Sequence, residues 1–202
     1  LLLELGRLHV KAGNPLRGAQ LLSRLRQSLI EPHKTGFGPE NVAVILDQAD
    51  HTWALMGETF LLAKHWEDAA DAFRRANDAK PEPARLQFNL ARIASGKNDL
   101  AAALSALDAT FAEDFSDLRK EPLQLLEDVL RRQETSAELA ASKLSDRLRK
   151  LHDQDPKNQD VSLFLARNLL NDTAEFEAVR TMLQNVLKTY PSAEAYENLG
   201  LL

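Results

Sequence analysis

Cysteine is absent from this 202-residue chain. Disulfides and thiolate metal sites are therefore excluded, while the compartment stays open between cytoplasm and periplasm. No stretch approaches the ~20 consecutive apolar residues that span a bilayer, so a water-soluble chain is expected. Positive charge is also in short supply. The net charge is −5, and an acidic chain without a basic stripe argues against nucleic-acid binding. Strand-like alternation of apolar and polar residues is missing. The eight glycines and eight prolines fall mostly between segments of helical periodicity, which points to an all-α chain.

Catalytic and metal-binding patterns are scarce as well. The histidines at 9, 33, 51, 65 and 152 form no H-E-x-x-H or other ligand spacing. Asp153-x-Asp155 looks like the start of a calcium loop, but Pro156 and Lys157 interrupt it and the required glycine is lacking. Gly36-Phe37-Gly38 is not followed by the Gly-Lys-Ser/Thr of a phosphate-binding loop. Nothing joins serine, histidine and acid into a triad. No cofactor, no metal and no catalytic residue is expected. Asn171-Asp172-Thr173 is a formal glycosylation sequon.

The informative residues lie in the middle of the chain. Trp53, Met56, Gly57 and Phe60 recur at i, i+3, i+4 and i+7, one face of a helix that ends near Lys64. Ala69, Phe73 and Ala76 form the stripe of a second helix, and Pro81 cannot continue it. Lys64-His65-Trp66 leaves room only for a tight turn, so the two helices are expected to lie antiparallel. Gly57 and Ala69 are small where the backbones come close. This spacing, W-x2-M-G-x2-F-x8-A-x3-F-x2-A-x4-P, resembles the tetratricopeptide repeat, a 34-residue helix–turn–helix unit.

The frame restarts at Ala84, with Leu90-Ala91, Ala94, Ala103 and Leu107 at the corresponding positions and Phe115 where the proline is expected. Leu165-Ala166 and Leu169 with Val179, Leu183, Val186 and Pro191 form a further repeat, with one extra residue in its turn. Tyr196, Leu199 and Gly200 begin another. Leu5-Gly6 with Leu21, Leu22, Leu25 and Leu29, and Leu123, Leu126 and Leu130 with Leu144, Leu148, Leu151 and Pro156, are weaker copies. The expected organisation is a single solenoid: a partial repeat at 1–30, an insertion at 31–49, repeats at 50–83 and 84–117, a degenerate repeat at 118–156, a repeat at 157–191 and a truncated one at 192–202. Pro39-Glu40 is expected to open one long helix running to Lys64. The chain begins at Leu1 and stops within a helix, so a piece of a longer protein is expected.

The resemblance implies a right-handed α–α superhelix whose first helices line a concave groove. It places His51, Ala54, Glu58 and Leu61 of one repeat and Arg85, Phe88, Asn89, Arg92 and Ser95 of the next in that groove. Arg7, Lys11, Leu163, Arg167 and Asn171 are further candidates. The implied function is a non-catalytic interaction module for a protein or peptide. Arg85, Asn89 and Arg92 would receive an acidic or carboxylate-bearing segment, and Phe88 would supply an apolar floor; otherwise Arg85 and Arg92 are solvated or pair with Glu58 inside the groove. The alternative is a structural spacer or regulatory arm of a larger, catalytic protein. Self-association through terminal repeats exposing Tyr196, Leu199 and Leu202 is a third expectation.

Overall fold

A computed structural model describes residues 1–170 and 173–201. Asn171 and Asp172 of the sequon lie outside the described residues, as does Leu202. Among the described residues every regular element is a helix, and consecutive helices pack as adjacent pairs. The fold is an all-α helical repeat.

The helices gather into two compact units, Leu1–Ala106 and Leu107–Leu202. The first holds α1 (Leu2–Lys11), α2 (Pro15–Ile30), the short α3 (Pro32–Thr35) and α4 (Pro39–Ile45), then α5 (Ala49–Leu62), α6 (Trp66–Ala79), α7 (Pro83–Gly96) and the first part of α8 (Leu100–Phe111). The second holds the end of α8, α9 (Glu121–Gln133), α10 (Ala137–Gln154), α11 (Gln159–Leu169), α12 (Phe176–Thr189) and α13 (Ala193–Gly200). Single 3-10 turns lie at Ser116–Leu118 and Thr173–Glu175.

The repeat is visible in the backbone of the first unit. The turns α1–α2, α5–α6 and α7–α8 carry one hydrogen-bond pattern. His65 donates its N–H to the Phe60 carbonyl and Lys64 to Leu61, as Asn14 does to His9 and Gly13 to Val10, and as Asp99 does to Ala94 and Asn98 to Ser95. This is the Schellman closure, which needs a left-handed residue after the cap. Gly13, Lys64 and Asn98 occupy it, at φ of 76°, 61° and 62°. Glycine takes that conformation freely, whereas lysine is strained. Lys64→Gly is therefore expected to raise stability by about 0.5–1 kcal/mol, measured by urea unfolding. No gain would mean that the turn does not hold this conformation in solution.

Close approach within each pair explains the small residues. A Cβ on Gly57 would stand 2.6 Å from the Phe73 ring, and one on Gly6 would stand 2.7 Å from Leu22. In both pairs the large residue follows the glycine by 16 positions. Ala91 and Leu107 share that spacing, and both are fully buried. The first core gathers Leu22, Leu25, Trp53, Met56, Phe60, Ala69 and Phe73, and Phe37, Val42, Ile45 and Leu46 of the insertion pack against it. In the second unit Leu123, Leu126, Leu130, Leu148, Phe164, Leu165 and Leu183 are buried. The expected proline at 115 is replaced by a buried Phe115 set edge-on against Phe111, with ring centroids 5.2 Å apart.

The long helix expected from Pro39 to Lys64 does not form. It breaks after Ile45, and α5 starts afresh at Ala49. The Thr52 hydroxyl donates to the Ile45 carbonyl at 2.9 Å, which satisfies an acceptor that the break leaves outside the helical ladder.

Candidate partner-binding face

α5 and α7 are the first helices of consecutive pairs, and they position the main cluster. Pro83 sits in the first turn of α7, where its missing N–H costs nothing. One turn on, Phe88, Asn89 and Arg92 follow at i, i+1 and i+4. Phe88 and Asn89 are buried, so neither is the open surface expected of a groove residue. Arg92 lies over Phe88, its guanidinium carbon 5.7 Å from the ring centroid, within cation–π range. Its fork meets Glu58 of α5, Nη1 donating to Oε1 at 2.5 Å and Nη2 to Oε2 at 2.8 Å. Nη1 also donates to Asn89 Oδ1 at 2.9 Å. Arg92 and Glu58 keep 28% and 41% of their side-chain exposure. At that wetness the pair contributes about 0–1 kcal/mol, so its main effect is to fix the direction of the guanidinium.

Arg85 is held elsewhere. Its Nε donates to Glu82 Oε2 at 2.6 Å, and Lys80 Nζ stands 2.8 Å from Glu82 Oε1. The hydrogen bonds from Lys80 and Arg85 keep the Glu82 carboxyl below the usual carboxylate range. Arg85 and Arg92 thus serve different carboxylates. His51 is exposed, its Nε2 3.9 Å from Asp50. Ala54 and Leu61 are half-buried. Leu163 belongs to the core.

The second unit repeats the chemistry on α9 and α11. The Arg167 guanidinium carbon lies 4.2 Å from the Phe164 ring centroid, and Nη2 donates to Glu127 Oε2 at 2.8 Å. Arg131 donates to the other oxygen of Glu127 at 2.6 Å. In each unit, then, an arginine on one first helix lies over a phenylalanine of its own helix and grips a glutamate of the preceding first helix. Phe164, Glu127 and Arg131 were not expected from the sequence. A signal for the first pair was present, since Glu58 and Arg92 stand one repeat length, 34 residues, apart.

A separate charge cluster joins the second helices α2 and α6. Arg26 donates to Asp71 Oδ2 through Nε at 3.1 Å and Nη2 at 2.7 Å, and Arg75 Nε adds a third bond at 3.0 Å. Arg75 lies over Trp53, 5.1 Å from the ring centroid. Partial burial pushes the Asp71 carboxyl upward, but the two arginines outweigh it and hold it below the usual range. The folded value is thus below the unfolded one of about 3.9. The linked stability is fully present above that pH and disappears as pH falls through the folded value. Asp71→Asn is expected to lower the thermal midpoint at neutral pH, with the difference shrinking toward about pH 3. An equal difference at both pH values would contradict the assignment.

Among the described residues no cluster of three or more His, Asp or Glu is placed to hold a metal. No described helix is long and apolar enough to cross a membrane. The chain matches no family model, and no curated protein matches it.

Proposed function

We propose that this chain is a tetratricopeptide-type interaction module that receives an acidic segment of a protein partner on its first helices. The observation that carries the reading is the recurrent arrangement of phenylalanine, arginine and glutamate, ordered yet partly exposed, on α5–α7 and α9–α11. An isolated surface arginine loses side-chain entropy on meeting a carboxylate. Arg92 has surrendered that freedom already. Guanidinium has five N–H donors. Arg92 spends both of Nη1 and one of Nη2 on Asn89 and Glu58. The edge formed by Nε and the second Nη2 hydrogen is left over, with geometry suited to a two-point grip on a partner carboxylate. The 34-residue advance from Ala49 to Pro83 and the recurring Schellman turns support the family assignment.

The test is a random peptide library panned on the purified chain, followed by titration of the recovered peptides. Acidic peptides are expected, with affinity falling as salt rises and falling about tenfold or more in Arg92→Glu. Recovered peptides without acidic residues, or an unchanged affinity in that variant, would end this reading. A second reading has its own observation. Arg92 and Glu58 already neutralise each other, as a spacer requires, and the absence of any selected peptide would favour it.

A further inference from the structure

A second site lies within the second unit, where the C-terminal end of α10, the start of α11 and the last turns of α12 enclose a cleft of about 490 Å³. That volume is in the range of small-ligand sites. The cleft is lined by polar and apolar residues. α10 and α11 contribute the polar His152 and Ser162, while α12 contributes the apolar Met182 and Val186 interleaved with the polar Asn185 and Thr189. His152 and Lys157 are the ionisable residues among its described lining, and no carboxylate takes part. The nearby acids Asp155 and Asp160 line a neighbouring depression that Lys157 and Gln159 also border, and the backbone N–H of Lys157 donates to Asp155 Oδ1 at 3.1 Å. Asp153 precedes them on α10, Arg149 of the same helix is engaged by Glu175 at 2.9 Å, and Lys188 on α12 bonds to Asn185 at 3.3 Å.

The polar set is built rather than incidental. Ser162 is 1% exposed, and its hydroxyl donates to the Asn158 carbonyl at 2.9 Å. That single proton being spent, the oxygen accepts from His152 Nδ1 at 3.1 Å. The imidazole is thereby anchored through one nitrogen. Nε2 makes no hydrogen bond among the described residues, and neither does Lys157 Nζ. A burial-fixed hydroxyl orients an imidazole at the edge of a half-apolar cleft whose rim carries the exposed ammonium of Lys157 and no carboxylate of its own.

We infer that this cleft binds a carboxylate carried on a short apolar body. The carboxylate accepts from Lys157 Nζ and, when the ring takes up a second proton, from Nε2–H of His152, and the apolar part lies against Met182 and Val186. A free small carboxylic acid and the C-terminal residue of a peptide with an apolar side chain share this chemistry.

The chain contains two methionines, which makes the test direct. Methyl-13C labelling yields one signal from Met182 in the cleft and one from Met56, fully buried in the other unit. The probes are hexanoate, its neutral analogue hexanamide, and a leucine-terminated pentapeptide with a free or amidated C-terminus. The Met182 signal is expected to move with hexanoate at concentrations about tenfold lower than with hexanamide, while Met56 stays in place. Lys157→Ala and His152→Gln should each abolish that preference, with thermal melts showing that both variants remain folded. If one variant fails to fold, the other carries the test. A response to the free-acid peptide that its amide lacks identifies a chain end as the natural source, and a response to hexanoate alone identifies a small acid. An unmoved Met182 signal, or equal response to acid and amide, overturns the inference.

Discussion

Phe60→Ala is expected to cost about 3–5 kcal/mol of stability, the range for deleting a fully buried aromatic ring. Phe60 is completely enclosed, its ring stacks parallel to His65 at 6.3 Å, and its carbonyl closes the α5–α6 turn. The loss therefore combines removed burial with a cavity that the flanking helices cannot collapse. Folded domains hold only about 5–15 kcal/mol in total, so the first unit would be close to unfolding near physiological temperature. Leu62, two residues on, is 55% exposed, and Leu62→Ala should change stability by less than about 0.5 kcal/mol. Denaturant titrations of both variants check the contrast. A Phe60→Ala cost below about 1 kcal/mol would place the ring outside the core.

Gly57→Leu is the second large effect, with an expected cost of about 3 kcal/mol from overpacking. The added Cβ alone meets three Phe73 ring atoms at 2.6–2.9 Å. Phe73 is 3% exposed, so its ring has no free volume to enter. Even Gly57→Ala should destabilise, although alanine is better than glycine in a helix by about 1 kcal/mol. Combining Gly57→Leu with Phe73→Ala removes the clash. The double variant should be more stable than the sum of the two single losses by at least about 1 kcal/mol. Strict additivity would show that the two residues do not touch.

These two positions also mark how far the sequence could be read. Helical periodicity located Trp53, Met56 and Phe60 in one core, and the small residue at 57 foretold the contact with the second helix. The pairing of Gly6 with Leu22 was legible for the same reason, because a repeated contact leaves a repeated spacing. Backbone closures were less legible. Lys64 carries no mark of a left-handed conformation, and only comparison with Gly13 and Asn98 reveals it. The break after Ile45 was invisible, since neither glycine nor proline stands at 46–48 and apolar periodicity runs straight through. A tertiary hydrogen bond from Thr52 fits the break rather than local propensity.

The candidate face was legible in part. The positions of Glu58, Phe88, Asn89 and Arg92 followed from the repeat frame, and a pairing of Arg92 with Glu58 was the alternative to a free groove arginine, but the burial of Phe88 and Asn89 did not follow. Arg85 was expected beside Arg92 at one carboxylate, whereas Glu82, at the start of the same helix, holds it. The counterpart in the second unit was harder to see, because Glu127 and Arg167 are 40 residues apart and extra residues blur the frame there. The cleft around His152 had no sequence signal. It arises where three helices converge, and no spacing along one helix encodes it.

The most direct test of the proposed function exchanges the charges of one pair. Glu58→Arg and Arg92→Glu, alone and together, are compared for stability and for binding of the acidic peptides selected on the unmodified chain. The exchanged pair retains a salt bridge of the same partly exposed kind, so its stability should lie within about 1 kcal/mol of the parent. Binding should remain lost, because the guanidinium has left its place over Phe88 and beside Asn89. Recovery of full affinity together with stability would contradict the account, reducing the Arg92 cluster to a structural link between adjacent helices.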